Sequence, residues 1–287
     1  MFFCSPRHNP IGNEVMERPE FVDDAIVQEP SGIFTGIYGP FVLKSAYQPI
    51  VSIHEDGFQQ IGFEGLIRPS LDGQAIPPLM FFNQVDAQDQ FFIEWMCRAL
   101  HLKNAHTLKQ PDLCLFINLD PSKYKNPDQS LHEIDVMLDK MAAMSLATKN
   151  IVIEIIETKP ISDGVLNAIV EHFHALGIKI AIDDFGTLHS DTKRVEAINP
   201  DYVKICGEWF TANCHQPAFL AQLSTTHHHF EAKGIQLIYE GIESHEILAM
   251  AKSCGAKLFQ GYLTGRPAIA PAHSWRATPF FIDPPWR

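Results

Sequence analysis

Apolar positions along this chain switch repeatedly between two spacings. Short runs rich in Val, Ile, Leu and aromatic residues occupy 47–53 (YQPIVSI), 63–68 (FEGLIR), 114–120 (CLFINLD), 151–156 (IVIEII), 179–185 (KIAIDDF), 202–206 (YVKIC), 236–242 (QLIYEGI) and 257–262 (KLFQGY). Between them, apolar residues recur three and four positions apart over 89–108, 129–146, 163–176, 216–233 and 244–254, which predicts amphipathic helices. Strands alternating with helices predict βα units around a parallel sheet, and eight of them predict an α/β fold of the TIM-like (β/α)8 barrel type. In HALGIKI and EAKGIQL, Gly177 and Gly234 stand where a left-handed residue closes a helix before the next strand. Only HEDGFQQIG separates the first two runs, too few residues for a crossover helix. A hairpin turning at Asp56-Gly57 is expected there, so that one barrel strand runs antiparallel to the rest.

The length of 287 residues fits one such barrel, expected over 39–268. Residues 1–38 carry Pro, Gly, Asn and Glu without sustained periodicity and are expected to be a loose lead segment. Residues 269–287, rich in Pro and aromatics, are expected to be an extended tail packed on the body. Hydrophobic residues at 46% and charged residues at 20% predict a sizeable core in a soluble protein. With 22 basic against 34 acidic residues and a net charge of −12, no DNA partner is expected. Six cysteines without a CxxC pair imply free thiols in a reducing compartment. The opening MFFCSPRHNP has no secretory pattern, and no run of 18 apolar residues occurs. The expected location is therefore cytoplasmic, with no membrane span.

The candidate chemistry lies within these apolar runs or just beyond their C-terminal ends: Glu64, Arg68, Asn118, Glu154, Glu157, Asp183, Asp184, Lys204, Glu240 and Gln260. In a (β/α)8 barrel those ends converge on one face, and that face carries the active site. One carboxylate at a strand end is usually a helix cap or a solvated group, but recurrence in most of the runs points to a shared site. Carboxylates with an amide oxygen and no histidine or thiol cluster suit a hard cation, Mg²⁺ or Mn²⁺, rather than Zn²⁺. The adjacent acids of KIAIDDFGT repel each other unless a cation compensates. Two metals about 3.5–4 Å apart, one carboxylate bridging them, would do so in the arrangement used for displacement at phosphate esters.

With those residues assembled, the sequence resembles the EAL-domain family, bacterial phosphodiesterases that hydrolyse cyclic di-GMP to the linear dinucleotide. The motifs carrying the likeness are YQPIV, FEGLIR, INLDP, IEIIET, GIKIAIDDFGT, DYVKI, YEGIES and FQGYLTGRP, in order from about residue 43 to 268. The resemblance implies that Glu64, Asn118, Glu154 and Asp183 hold one metal, with Asp183 bridging to a second held also by Asp184 and Glu240. It implies that Lys204 touches the attacking water, that Gln260 helps position it, that Arg68 meets a substrate phosphate, and that Glu157 anchors the loop after the paired aspartates. It further implies a homodimer. Gly65 replaces the family's usual alanine. Cys206 stands where the family shows aspartate, and Gly186-Thr-Leu188-His189-Ser190 where it shows Gly-Thr-Gly-Tyr-Ser. These departures motivate an alternative expectation, a weak or inactive member acting as a cyclic di-GMP receptor or protein-interaction module.

Three other signals carry structural expectations. His227, His228 and His229 are expected on a solvated helix face, Cys206 as an inert buried thiol, and the pairs Phe81-Phe82 and Phe91-Phe92 as packing rather than a base-stacking platform.

Overall fold

The computed structural model describes residues 18–54, 57–110, 112–124, 131–132, 134–136, 139, 147–156, 163–187 and 191–271. Its strands are β1 (Ile26–Gln28), β2 (Phe34–Tyr38), β3 (Phe41–His54), β4 (Gly57–Leu71), β5 (Gln74–Ala75), β6 (Cys114–Leu119), β7 (Ile151–Ile155), β8 (Lys179–Phe185), β9 (Tyr202–Ile205), β10 (Gln236–Tyr239), β11 (Leu258–Phe259) and β12 (Ala268–Ile269). The described α-helices are α1 (Pro78–Phe82), α2 (Gln90–Asn104), α3 (Asp163–Ala175), α4 (Thr192–Ile198), α5 (Gly207–Asn213), α6 (Pro217–Ala232) and α7 (His245–Ser253). The helix expected over 129–146 falls largely outside the described residues.

Eight strands close a barrel in the order β3-β11-β10-β9-β8-β7-β6-β4, with β4 returning to β3. Within the barrel every pairing is parallel except those of β3 with β11 and β4, so the expected antiparallel strand is present. The hairpin behind it pairs His54 with Gly57. It is far longer than the two apolar runs suggested, because its distal half leaves the barrel. There Phe41, Leu43, Ile67 and Phe81 join Met96 and Leu100 of α2 in a second core. Gly177 and Gly234 have φ of 74° and 84°, the left-handed helix ends expected of them.

The structure corrects the expectation of a loose lead segment over its second half. Residues 22–38 form a 3₁₀ turn and the β1–β2 hairpin, and β2 extends the sheet by pairing with β3. Ala25, Thr35 and Tyr38 are buried there. The Phe34 backbone exchanges hydrogen bonds with the Asn104 side chain, and Tyr38 donates to Asp89 Oδ2 at 2.9 Å. Strand β1 buries no side chain fully and β2 only Thr35 and Tyr38, so no run of alternation is long enough to announce them. Ala268 and Ile269 pair with β3 as β12, and residues 272–287, most of the expected tail, lie outside the described set. The histidine row also needs correcting. Side chains of adjacent helical residues point about 100° apart, and one of three must face inward. That one is His227, buried and hydrogen-bonded to the Tyr239 hydroxyl at 3.2 Å, while His228 and His229 are exposed.

Candidate active site

The barrel interior is stacked in layers, and the candidate residues form one of them. A lower layer is apolar: Ile50, Phe116, Val152, Ala181, Tyr202 and Ile238, with Leu258 against it. Side chains on a strand return to the same face every second residue. Two positions further along each strand direction stand Asn118, Glu154, Asp183, Lys204, Glu240 and Gln260. On the antiparallel β3 the same step runs backwards, from Ile50 to Gln48. Gln48 pairs across the hairpin with Glu64, and Gln260 Nε2 donates to Glu64 Oε2 at 2.6 Å. Asn118 Nδ2 donates to Glu64 Oε1 at 3.3 Å.

Asp184 breaks that rule in a useful way. Regular alternation would throw it to the outside of the barrel. Instead the β8–β9 register shifts between Ile182 and Phe185, and Asp184 adopts a left-handed backbone at φ 54°. Carboxylate oxygens of Asp183, Asp184 and Glu240 consequently lie within 4.8 Å of one another, as do those of Glu64, Glu154 and Glu240. A left-handed non-glycine residue costs on the order of 1–3 kcal/mol and persists where its surroundings demand it. Just beyond β10, Ser244 accepts the Ile247 N–H at 3.2 Å and starts α7, which fixes the loop that carries Glu240 and Glu243.

Lys204 sits at the centre of this set, 1% exposed. Its Nζ lies 3.2 Å from Glu64 Oε2, 2.7 Å from Glu240 Oε1 and 3.5 Å from Asp183 Oδ1, and it also contacts Glu154 Oε1. Burial alone would lower its pKa, but the ring of carboxylates outweighs that and holds it well above the usual lysine value. Burial pushes Glu240 up to about 8 and holds Glu154 well above the carboxylate range, with neighbouring acids adding to both. For Glu64, burial is outweighed by Lys204 and by hydrogen bonds from Gln260 and Asn118, and its pKa is lowered. One ammonium therefore cannot let all the acids ionise. Glu154 Oε2 and Gln260 Oε1 are buried without a hydrogen-bond partner, so acceptor capacity is left over as well. Excess negative charge, spare oxygen acceptors and no histidine or thiol in either carboxylate group fit hard divalent cations.

Gly65, beside Glu64 on β4, is not a neutral replacement for alanine. Its missing side chain would point away from the mouth onto α2, where a Cβ would stand 2.8 Å from Cγ of His101. His101 is buried, hydrogen-bonds to Ser45 Oγ at 3.1 Å, and is pushed by burial down to a pKa of about 4, so it packs as a neutral ring. Gly65→Ala is accordingly expected to destabilise by about 1–3 kcal/mol through overpacking. In a His101→Ala background the same change should cost less than about 0.5 kcal/mol, because the methyl then enters space the ring has left. Urea unfolding of the four proteins measures the coupling.

A cleft of about 1190 Å³ opens over Glu64, Asp184, Glu240 and Gln260, with Cys206 and Tyr262 in its wall. Burial raises the Cys206 pKa, and its neutral thiol hydrogen-bonds to Asp184. Arg68 is half-buried and lines an adjoining cavity of about 470 Å³ with Asn118 and His101, its Nη1 donating to the Ile67 carbonyl at 2.8 Å. Glu157 lies outside the described residues, as do 188–190 of the loop it was expected to anchor. Sequence reasoning gave no role to Gln48 or Tyr262. Gln48 was signalled by facing Glu64 across the hairpin. Tyr262, exposed with the Arg266 guanidinium 4.1 Å above its ring, follows Gln260 by two residues.

The family model of the EAL domain matches residues 42–267. Among curated proteins, the probable cyclic di-GMP phosphodiesterase PdeI of Escherichia coli is 30% identical over 251 residues, which are 80% of this chain and 29% of that protein. The cyclic di-GMP phosphodiesterase RocR of Pseudomonas aeruginosa is 28% identical over 233 residues, 78% of this chain and 57% of that one. The chain thus spans less than a third of the first curated relatives it matches. Klebsiella pneumoniae BlrP1, solved with manganese and cyclic di-GMP, superposes with a TM-score of 0.71 at 28% identity, covering 85% of this chain and 58% of that one. A standalone EAL protein from Vibrio cholerae, solved with cyclic di-GMP, gives 0.69 at 25% identity, covering 82% of this chain and 98% of that one.

Proposed function

The chain belongs to the EAL-domain family, and from that premise we propose that its barrel mouth hydrolyses one phosphodiester bond of cyclic di-GMP to give linear pGpG. The observation that carries this reading is the convergence of Glu64, Glu154, Asp183 and Glu240 on Lys204, with Asn118 bonded to Glu64 and Asp184 beside Asp183 and Glu240. Glu64, Asn118, Glu154 and Asp183 would hold one divalent ion, and Asp183, Asp184 and Glu240 a second, Mg²⁺ or Mn²⁺. Glu240 belongs to both carboxylate groups and is a second candidate, beside Asp183, for the shared ligand. Bound divalent ions supply electrostatic stabilisation of the phosphate oxygens and acidify water.

The chain's own residues do the rest. Arg68 offers a guanidinium fork to a phosphate at the edge of the mouth. Gln260, tied to Glu64 and Gln48, orients the attacking water. Lys204 holds a fixed positive charge where the water oxygen becomes negative. Water loses a proton as its oxygen forms the new P–O bond, the P–O3′ bond breaks, and the leaving 3′ oxygen takes up a proton, so that protons balance. Tyr262, with Arg266 stacked on it, offers a face for a guanine. On the family resemblance alone, the working form is a cytoplasmic homodimer. No described helix is long and apolar enough to cross a membrane.

Cys206 favours a second reading, binding without turnover, because a neutral thiol stands beside Asp184 where the family has a carboxylate. Incubating the purified protein with cyclic di-GMP and Mn²⁺ or Mg²⁺, and resolving the nucleotides by anion exchange, separates the two. Linear dinucleotide is the expected product. Tight calorimetric binding without product would replace hydrolysis by the receptor reading, and neither product nor binding would refute both.

A further inference from the structure

We propose that a cavity near the opposite end of the barrel, distinct from the mouth, binds a small amphipathic carboxylate of fatty-acyl type. It lies where β6 and β7 begin, against Leu115 and Ile151, whereas Asn118 and Glu154 stand further along those strands at the mouth. None of its lining residues is shared with the mouth cleft. Its volume of about 620 Å³ falls within the range of small-molecule sites, about 300–1,000 Å³.

The chemistry of the lining selects the ligand class. The floor is made by Phe63, Leu102, Leu115 and Ile151, all buried and apolar. Lys103, Lys109 and Lys149 stand at the rim. Lys103 reaches Asp23 at 3.4 Å and lies over the Phe34 ring. Lys109 and Lys149 are exposed and make no ion pair among the described residues. Lys109 also keeps a left-handed backbone, φ 54°, where glycine would be unstrained. Asp112 is the one acid among the described lining residues. In a chain of net charge −12, three lysines around an apolar cavity run against the overall field. They repel a cationic amphiphile and add nothing for a neutral one. A highly charged phosphate ester would meet no arginine among the described lining residues and would leave the floor uncovered. A single carboxylate on an acyl chain satisfies both parts, its tail on the floor and its head between Lys109 and Lys149.

The test is calorimetric titration of the whole chain with hexanoate, octanoate, decanoate and decyltrimethylammonium. Affinity should rise about fourfold per methylene along the carboxylate series until the cavity is full. It should fall at least tenfold in Lys109→Glu/Lys149→Glu, and binding should vanish in Ala105→Trp, whose indole would enter the cavity. Mn²⁺ titration at the mouth, unchanged in all variants, reports that each is folded. Equal binding of the ammonium amphiphile, carboxylate affinity indifferent to chain length or to the charge reversals, or binding that survives Ala105→Trp would overturn the proposal.

Discussion

Asp183→Asn is expected to lower kcat for cyclic di-GMP at saturating Mn²⁺ by on the order of 10³-fold or more, while leaving the metal-free protein as stable as the wild type or more so. The two halves of this expectation come from the same geometry. Asp183 lies 3.5 Å from the Lys204 ammonium and shares a 4.8 Å neighbourhood with Asp184 and Glu240. Without metal, an acid in that place adds to a surplus of negative charge, so an isosteric amide relieves repulsion. With metal, the same change removes an anionic ligand from a hard cation, and the amide oxygen is a weaker donor. Activity and stability should therefore move in opposite directions. Three measurements decide it: turnover, Mn²⁺ affinity by calorimetry, and thermal midpoint in chelator. A variant that kept wild-type turnover and Mn²⁺ affinity would show that the carboxylate layer is not the metal centre. A variant that lost stability in chelator would show that Asp183 acts mainly as a counter-ion to Lys204.

Much of this was legible in the sequence because a barrel makes its periodicity visible. Each inner strand reads as an apolar residue followed two places later by a polar one: Phe116 and Asn118, Val152 and Glu154, Ala181 and Asp183, Ile238 and Glu240. Alternation is local information, and it placed both the sheet and most of the mouth. What escaped depends on contacts between distant segments. The left-handed turn at Asp184 exists because β8 must shift register against β9, and two adjacent aspartates do not reveal it. Gly65 reads in the sequence only as a glycine where the family has alanine, yet it is matched to His101, 36 positions away on α2. Similarly, β2 is held by Asn104 and Asp89, and β1 by pairing with β2, not by any pattern of their own.

Lys204→Met is the second large effect, and its signature lies in pH. In chelator at pH 8 the variant should lose about 3–5 kcal/mol, the usual result of stripping a buried ion pair of one partner. Wild type sets the reference for the sign. Glu240, raised from 4.5 to about 8, stays protonated in the fold where the unfolded chain ionises. Its contribution is full below about pH 4.5 and is lost as pH rises through about 8, and Glu154 shifts in the same direction. Glu64, lowered, contributes in the opposite sense and loses its share as pH falls. Lys204 is the one cation within ion-pair distance of these acids among the described residues. Removing it raises Glu240 and Glu154 further and takes away the main cause that lowers Glu64, abolishing the Glu64 contribution. The defect should accordingly be small near pH 4.5 and grow towards pH 8. Mn²⁺ offers replacement charge and, at about a hundred times its Kd, should return about 2.7 kcal/mol by mass action. Turnover should not return with it, since a divalent ion among the ligands does not restore a cation at the Nζ position. Urea unfolding across pH, in chelator and in Mn²⁺, reads the whole pattern. A loss independent of pH and untouched by Mn²⁺ would mean that Lys204 supports the fold by packing, and that the acids around it are not a charge-starved metal cage.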